Sequence, residues 1–492
     1  MGLDKKQSSS SSSSDGSLTR MIIRPTEDTP LLQRKSPQQQ PPLSSQSKAF
    51  ANVFIAIVGA GVLGLPYTFM KCGWFTSLLM ISAVATLTCH CMMLLVHTRK
   101  KIESSSSIPT TITSFGDLGF AVCGPIGRST VDIMVVLSQT GFCIGYLIFI
   151  GNTLASLFNS STILANVGLP PKIWGFAAKS FYIWGIFPFQ LGLNAIPSLT
   201  LLAPLSIFAD IVDVGAMGIV MVEEVATVVK QRPAVEAFAG FSAFFYGLGV
   251  AVFSFEGIGL VLPLESEMKD KKKFGKTLVF TMVFIAVLYG SFGALGYFAF
   301  GDNTRDIITA NLGKGLLSTL VQLGLCINLF FTLPLMMNPV YEVVERRYCD
   351  GRYCLWMRWM LVLVISFAAL FVPNFADFMS LVGSSICCAL GFVLPALFHF
   401  VAFKNEMGWQ GVYLDVAIII LGAVLGATDL RSVLPPFRSL VGRRRWRGGE
   451  MNGVAGGGGC SPVVVVGVRR SELSSAGDGF PAKSSEQTKG EH

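Results

Sequence analysis

Apolar stretches of about 20 residues recur along most of this chain, and this is the length that spans the hydrocarbon core of a lipid bilayer. Only 14% of the 492 residues are charged, whereas a soluble domain carries about 25% charged residues. The sequence therefore predicts an all-α polytopic membrane protein. We number eleven predicted spans in chain order: 49–69, 74–97, 131–158, 173–192, 197–222, 239–263, 276–300, 315–341, 355–376, 378–402 and 411–427.

Polar tails flank the predicted membrane block, which covers residues 48–426. Residues 1–47 hold a serine run and a Gln-Pro stretch, a composition typical of a disordered segment. Residues 427–492 have an atypical low-complexity composition, with a glycine run and a valine run. The apolar run of span 11 is short, at about 15 residues, and ten Lys or Arg residues follow it. Two hypotheses remain open: the tail arises from alternative splicing or a frame error, or it is native and cytosolic and span 11 does not cross.

The distribution of Lys and Arg sets the predicted orientation. If the N-terminus is cytosolic, the tail and the loops on its side carry 21 basic residues, and the opposite loops carry seven. Cytosolic loops of membrane proteins are enriched in Lys and Arg, so we expect a cytosolic N-terminus. These clusters near the membrane account for most of the net charge of +8, and no nucleic-acid partner is expected.

Span 1 contains the heptapeptide VGAGVLG, residues 58–64, followed by Leu65 and Pro66. Its glycines have the G-x-G-x-x-G spacing of a dinucleotide-binding loop. Such a loop needs an acidic residue about 20 positions further on, but the next acidic residue is Glu103, beyond the whole of span 2. The heptapeptide therefore does not predict a nucleotide cofactor, and no cofactor is expected.

A second Gly-Pro interruption lies in span 6, where Gly257, Gly259 and Pro263 echo the glycines and proline of span 1. The two interruptions open the first and sixth spans, where two five-helix repeats would each begin. Paired interruptions in corresponding spans are the best sequence indication of a transporter's binding site. The alternative is that the small residues serve only close helix packing.

The exposed backbone groups of a broken helix indicate the substrate class. Free N–H groups at the start of a half-helix suit a carboxylate, and free carbonyls suit an ammonium group, so an α-amino acid fits both. Val62, Leu63, Phe253 and Phe255 would line an apolar pocket for a neutral side chain.

Ionisable residues inside a membrane are functional hypotheses by default. Glu256 adjoins the second interruption and is the first candidate for proton coupling; alternatively, it caps backbone N–H groups of the broken helix. Asp210 and Asp213 lie three residues apart on one face of span 5, and they are further candidates, although a structural hydrogen-bonding role is favoured for them. Cys89-His90-Cys91 has the residue types of a metal site, but helix neighbours point in different directions, and no metal is expected.

Four runs of the sequence resemble the amino acid/auxin permease family, and more narrowly its plant vacuolar amino-acid transporters: residues 51–74, 137–152, 202–224 and 253–268. The resemblance implies eleven spans in an inverted five-plus-five repeat with broken helices 1 and 6. It also implies a secondary transporter in the vacuolar membrane that exports neutral amino acids to the cytosol, and not an enzyme. The substrate site of the family matches Gly59, Ala60, Gly61, Val62, Leu63, Gly64, Phe255, Glu256, Gly257, Ile258 and Gly259.

A short motif in the N-terminal tail bears on localisation. Glu27, Leu31 and Leu32 fit the acidic dileucine pattern E-x-x-x-L-L, which adaptor complexes recognise on cytosolic tails. The expected partners are therefore an amino-acid substrate, membrane lipid, protons and an adaptor complex. Two alternatives remain: a sodium- or proton-coupled symporter of the plasma membrane, and a transporter-like amino-acid sensor.

Overall fold

A computed structural model describes residues 45–105, 112–158, 172–173, 176–197, 199–230, 233–312, 315–372 and 374–427. Helices make up almost all of this part of the chain. The single sheet in it has two strands of two residues each, β1 and β2. The elements in chain order are α1 Gln46–Ile57, α2 Leu65–Cys72, α3 Trp74–Ser105, α4 Phe115–Phe158, β1 Lys172–Ile173, β2 Phe176–Ala177, α5 Ala178–Asn194, α6 Leu199–Lys230, α7 Phe241–Ser254, α8 Val261–Glu267, α9 Phe274–Phe300, α10 Leu316–Tyr348, α11 Leu355–Phe371, α12 Phe375–Val382, α13 Leu394–Phe403 and α14 Trp409–Ala427.

The predicted all-α polytopic class is confirmed. Seven helices of the described residues are long and apolar enough to cross a membrane, and the bent pair α1–α2 makes up to eight. A helix also lies at each remaining predicted span, but α5 and α11 have only 17 residues each. The count of eleven crossings, like the inverted repeat, therefore stays a prediction.

Two span boundaries differ from those read from the sequence. Span 4 was expected from residue 173, but Lys172 pairs with Ala177 across the small antiparallel sheet, and α5 begins only at Ala178. Span 3 was expected from residue 131, whereas α4 begins at Phe115 and is kinked at Gly124. Gly124 has a φ of 64°, a left-handed value that favours glycine, and Pro125 follows it.

Span 10 contains wide helical turns. Between α12 and α13 the backbone forms π-helical segments at Gly383–Cys387 and Ala389–Val393. Such segments are rare in proteins, and those that occur are often at functional sites. Gly383 packs so closely on α7 that a Cβ there would overlap the carbonyl oxygen of Gly249. A side chain at position 383 would therefore force span 10 and span 6 apart.

The last described helix, α14, packs on span 10 through one polar pair and one close contact. His399 Nδ1 lies 2.7 Å from Asp415 Oδ2, and the Asp415 side chain is only 2% exposed. A Cβ on Gly422 would lie 2.7 Å from Cγ2 of Val393. Span 11 is thus an apolar helix of 19 residues, and the residues that follow it lie outside the described part of the chain.

We predict that His399→Leu lowers the stability of the folded protein by about 1–3 kcal/mol, because it leaves the Asp415 carboxylate buried without this partner. The double variant His399→Leu/Asp415→Leu should recover part of the loss, since it removes both polar groups. Thermal unfolding of the detergent-solubilised protein measures both. Tyr413→Phe is the control, because Tyr413 on the same helix is 78% exposed. An unchanged melting temperature for His399→Leu would show that this pair does not hold α14.

Candidate functional site

Span 1 is broken where the sequence predicts. Helix α1 ends at Ile57, Gly59 is extended with φ −159° and ψ −162°, and a tight 3₁₀ turn covers Ala60–Gly64. The two halves of the span are bent by 50° relative to each other. Pro66 stands in the first turn of α2, where its missing N–H costs no helical hydrogen bond. The break thus combines glycines, which tolerate an irregular backbone, with a proline that starts the next helix.

Span 6 is broken in the same way. Helix α7 ends at Ser254, a 3₁₀ turn covers Ile258–Leu260, and α8 begins at Val261 with Pro263 in its first turn. Residues 255–257 lie between the two helical parts. The paired interruptions predicted from the sequence are therefore both present as breaks in the helices.

The two breaks pack directly against each other. A Cβ on Gly61 would lie 2.9 Å from the Cα of Ser254, and a Cβ on Gly257 would lie 2.9 Å from Cγ1 of Ile57. Both contacts are closer than a real Cβ allows, so each break needs its glycine for the other to approach. The predicted glycines meet at one place in the fold.

Tyr289 of α9 joins the two breaks through its hydroxyl group. The oxygen lies 3.3 Å from the carbonyl oxygen of Ile57 and 3.2 Å from that of Ser254, which are the last residues of α1 and α7. The Tyr289 ring is fully buried and makes an edge contact with Phe255, with centroids 5.1 Å apart. The hydroxyl can donate to either carbonyl, so one side chain serves both helix ends.

A cavity of about 300 Å³ opens beside the breaks. Six of the eleven predicted site residues line it: Gly59, Ala60, Gly61, Glu256, Gly257 and Gly259. The other five lie outside its lining: Val62, Leu63, Gly64, Phe255 and Ile258. These five are buried in the packing around the breaks.

Sequence reasoning missed the side of the cavity that spans 3 and 8 supply. The Phe142 ring makes an edge contact with Phe253, with centroids 4.7 Å apart, and both rings line the cavity. Arg346 Nη2, near the end of α10, lies 2.9 Å from Asp132 Oδ2 of α4, and both residues line the cavity. Phe142 lies in the run 137–152 on which the family resemblance rests, but no local pattern marks its contact with span 6.

The structure separates the three proton-coupling candidates. Glu256 lines the cavity, and a Cβ on Gly391, in a π-helical segment of span 10, would lie 3.7 Å from its Oε2. The backbone N–H of Ile258 interacts favourably with the Glu256 carboxylate, which fits the capping alternative. Asp213 is buried in α6 and does not line the cavity. Asp210 lies in the same helix, and its side chain is outside the described part.

Two further predictions concern regions away from the cavity. The sorting motif of Glu27, Leu31 and Leu32 lies outside the described residues and stays a prediction. Within the described residues, no group of three or more His, Cys, Asp or Glu side chains could hold a metal ion. Cys89-His90-Cys91 is part of α3.

Residues 43–430 match the family model described as transmembrane amino acid transporter protein. The chain belongs to this family. The match spans both broken helices and every helix that lines the cavity.

Relatives in plants and yeast match along most of the chain. The amino acid transporter AVT3B of Arabidopsis thaliana is 63% identical over 84% of this chain and 97% of its own length. The amino acid transporter ANT1 of the same plant is 35% identical over 85% of this chain and 98% of its own length. Vacuolar amino acid transporter 3 of Saccharomyces cerevisiae is 28% identical over 83% of this chain and 59% of its own length. The crystal structure of MhsT in complex with L-phenylalanine covers 80% of this chain and 99% of its own, with 13% identity and a TM-score of 0.47.

We predict that Gly61→Ala reduces transport by about tenfold to 100-fold, because displacements of about 1 Å near a site can cost this much. Its Cβ would meet the backbone of Ser254, so spans 1 and 6 would have to separate. Uptake of a labelled amino acid by proteoliposomes measures the effect, with size-exclusion profiles to establish folding. Gly218→Ala is the matched control, since a Cβ there meets nothing within 4 Å. Uptake at the wild-type rate by Gly61→Ala would contradict the assignment of the site.

Proposed function

We propose that this protein is a secondary transporter that moves neutral amino acids across the vacuolar membrane, from the vacuole to the cytosol, coupled to protons. The observation that carries this proposal is the packing of two broken helices against each other at the cavity. Irregular backbone at membrane depth is tolerated only where it is buried in protein or lines a cavity. Here part of the irregular backbone is buried in protein and part lines the cavity, where it is available to a ligand.

The lining of the cavity supports a zwitterionic substrate with a neutral side chain. Arg346, which is the cation among the described residues of the lining, already faces Asp132 at 2.9 Å. A substrate carboxylate would therefore bind the backbone N–H groups at the breaks. Its ammonium group would bind backbone carbonyls at the breaks. Phe142 and Phe253 offer aromatic surface to an apolar substrate side chain.

Location, orientation and direction form the finer part of the proposal. The yeast relative is named a vacuolar transporter, and the dileucine motif would direct sorting to the vacuole through an adaptor complex. The cavity reaches Asp132 and Arg346. The distribution of Lys and Arg predicts that these two residues, like the N-terminus, lie on the cytosolic side of the membrane. In that orientation the cavity extends towards the cytosol, the side on which an exporter releases its substrate.

Transport by isolated vacuoles tests the proposal. We expect labelled neutral amino acids to leave vacuoles that contain the protein, and an acidic lumen to increase the rate. Vacuoles that lack the protein are the control, and acidic and basic amino acids should compete poorly. Binding without any flux would favour a sensor over a transporter. Transport that requires sodium, by a protein found at the plasma membrane, would support the alternative symporter.

Glu256→Gln tests the coupling. A carboxyl at the cavity can bind a proton on the acidic side and release it on the neutral side, whereas an amide cannot. We therefore expect Glu256→Gln to retain substrate exchange at equal pH but to lose acceleration by a pH gradient. Flux with and without a gradient, in matched proteoliposomes, measures both. A variant that keeps its full pH dependence would exclude Glu256 as the coupling residue and leave the capping role.

A further inference from the structure

Glu224 of α6 is a buried carboxyl group outside the cavity. Its side chain is 0% exposed, and neither carboxylate oxygen has a hydrogen-bond partner among the described residues. An ionised carboxylate enclosed in this way is strongly disfavoured unless it is paired, so the group is held neutral with a proton bound. The predicted span 5 ends two residues before Glu224, but α6 continues to Lys230 and so includes it.

The carboxyl group sits in a notch that Gly296 leaves in α9. A Cβ on Gly296 would lie 2.8 Å from Oε1 of Glu224 and 2.6 Å from Cβ of Pro66. Pro66 belongs to α2, the second half of broken span 1. Glu224 therefore lies where α6, α9 and this half-helix meet, although none of the three residues lines the cavity.

Residues 233–240, which we call the strap, contact the end of α2, the start of α3 and the last turns of α9. The N–H of Trp74 donates to the carbonyl of Glu236 at 3.0 Å, and the N–H of Ala239 donates to the carbonyl of Cys72 at 3.1 Å. The N–H of Glu236 donates to the hydroxyl of Tyr297 at 2.9 Å. The strap thus closes the side of the protein opposite the mouth of the cavity, which is the luminal side in the proposed orientation.

Other titratable groups on the surrounding elements are engaged elsewhere or lie further along their helices. On α2, the Lys71 ammonium lies 5.3 Å from the centroid of the Tyr67 ring. On α9, the Tyr297 hydroxyl accepts the strap N–H, and Tyr289 interacts with Asp213, which precedes Glu224 by three helical turns. Helix α10 carries no charged side chain over residues 316–341, and Glu223 is partly exposed beside Glu224.

We propose that Glu224 is a proton-binding site that must be occupied before the luminal side can close. When α2 moves away from α9, water reaches the carboxyl group and it ionises. When α2 returns, only the neutral form fits the dry notch. Proton binding and closure are then linked, and the ratio of closed to open protein falls by up to tenfold per unit rise in pH for a single proton. The luminal assignment rests on the proposed function; the linkage itself does not.

Cys72 is a native reporter of this closure. It ends α2 and is 0% exposed, and its Sγ lies 2.9 Å from the carbonyl oxygen of Ala243. Opening on this side would expose it to a hydrophilic maleimide. Mass spectrometry of the Cys72 peptide quantifies labelling of the full-length protein in detergent. Comparing variants at one pH cancels the pH dependence of the thiol reaction itself.

Glu224→Gln imitates the protonated carboxyl at every pH. We expect equal labelling of wild type and Glu224→Gln at pH 5.5, and about threefold or more faster labelling of wild type at pH 7.5. Glu223→Gln, one residue away, should follow the wild type at both values. If the labelling rate of wild type divided by that of Glu224→Gln is the same at both pH values, the proposal is overturned. If Glu224→Gln does not fold, Glu224→Met provides a neutral side chain of similar size and the same comparison.

The labelling experiment needs no transport, so its outcome is separate from that of the proposed function. A pH-dependent ratio in a protein that fails to move amino acids would overturn the transport proposal and leave the proton site. A constant ratio in an active transporter would overturn the proton site alone.

Discussion

Every backbone N–H and C=O group within a membrane needs a partner, and the architecture of this protein follows from where that rule is relaxed. Spans 1 and 6 both lose helical hydrogen bonds within the span, and the two breaks are packed against each other. Tyr289 supplies a hydroxyl between the free carbonyls of Ile57 and Ser254. Gly59, Ala60, Gly61, Gly257 and Gly259 line the cavity. The same unsatisfied backbone that would destabilise an isolated helix thus becomes the surface on which a ligand can bind.

The sequence was informative where the cause of a feature is local. Gly59, Gly61 and Pro66 lie close together in the sequence and weaken the helix locally, so the first break could be located to within a residue or two. The apolar windows likewise located a helix for every span. Local patterns also explain the error at span 4, since an apolar run does not reveal that its first residues pair as strands, as Lys172 and Ala177 do.

Features that depend on distant partners could not be predicted in this way. Tyr289 looks like any aromatic residue of an apolar helix, and its role appears only when α9 is placed beside both breaks. Val62 and Leu63 were expected to line the substrate pocket, but a 3₁₀ turn rotates successive side chains differently from an α-helix, and they face the packing instead. Glu224 appeared to follow the membrane span. Its burial depends on Gly296 and Pro66, which lie 72 residues after it and 158 residues before it.

The π-helical segments of span 10 change the number of residues per turn along the helix, so no single helical period describes which residues share a face. On a regular α-helix, Gly383 and Gly391, eight positions apart, would point about 80° away from each other. In this structure both face span 6, Gly383 against Gly249 and Gly391 towards Glu256. The spacing of residues along span 10, as well as their types, is therefore matched to the broken helix beside it. Inserting or deleting one residue there would misalign two contacts at once, even if every side chain were conserved.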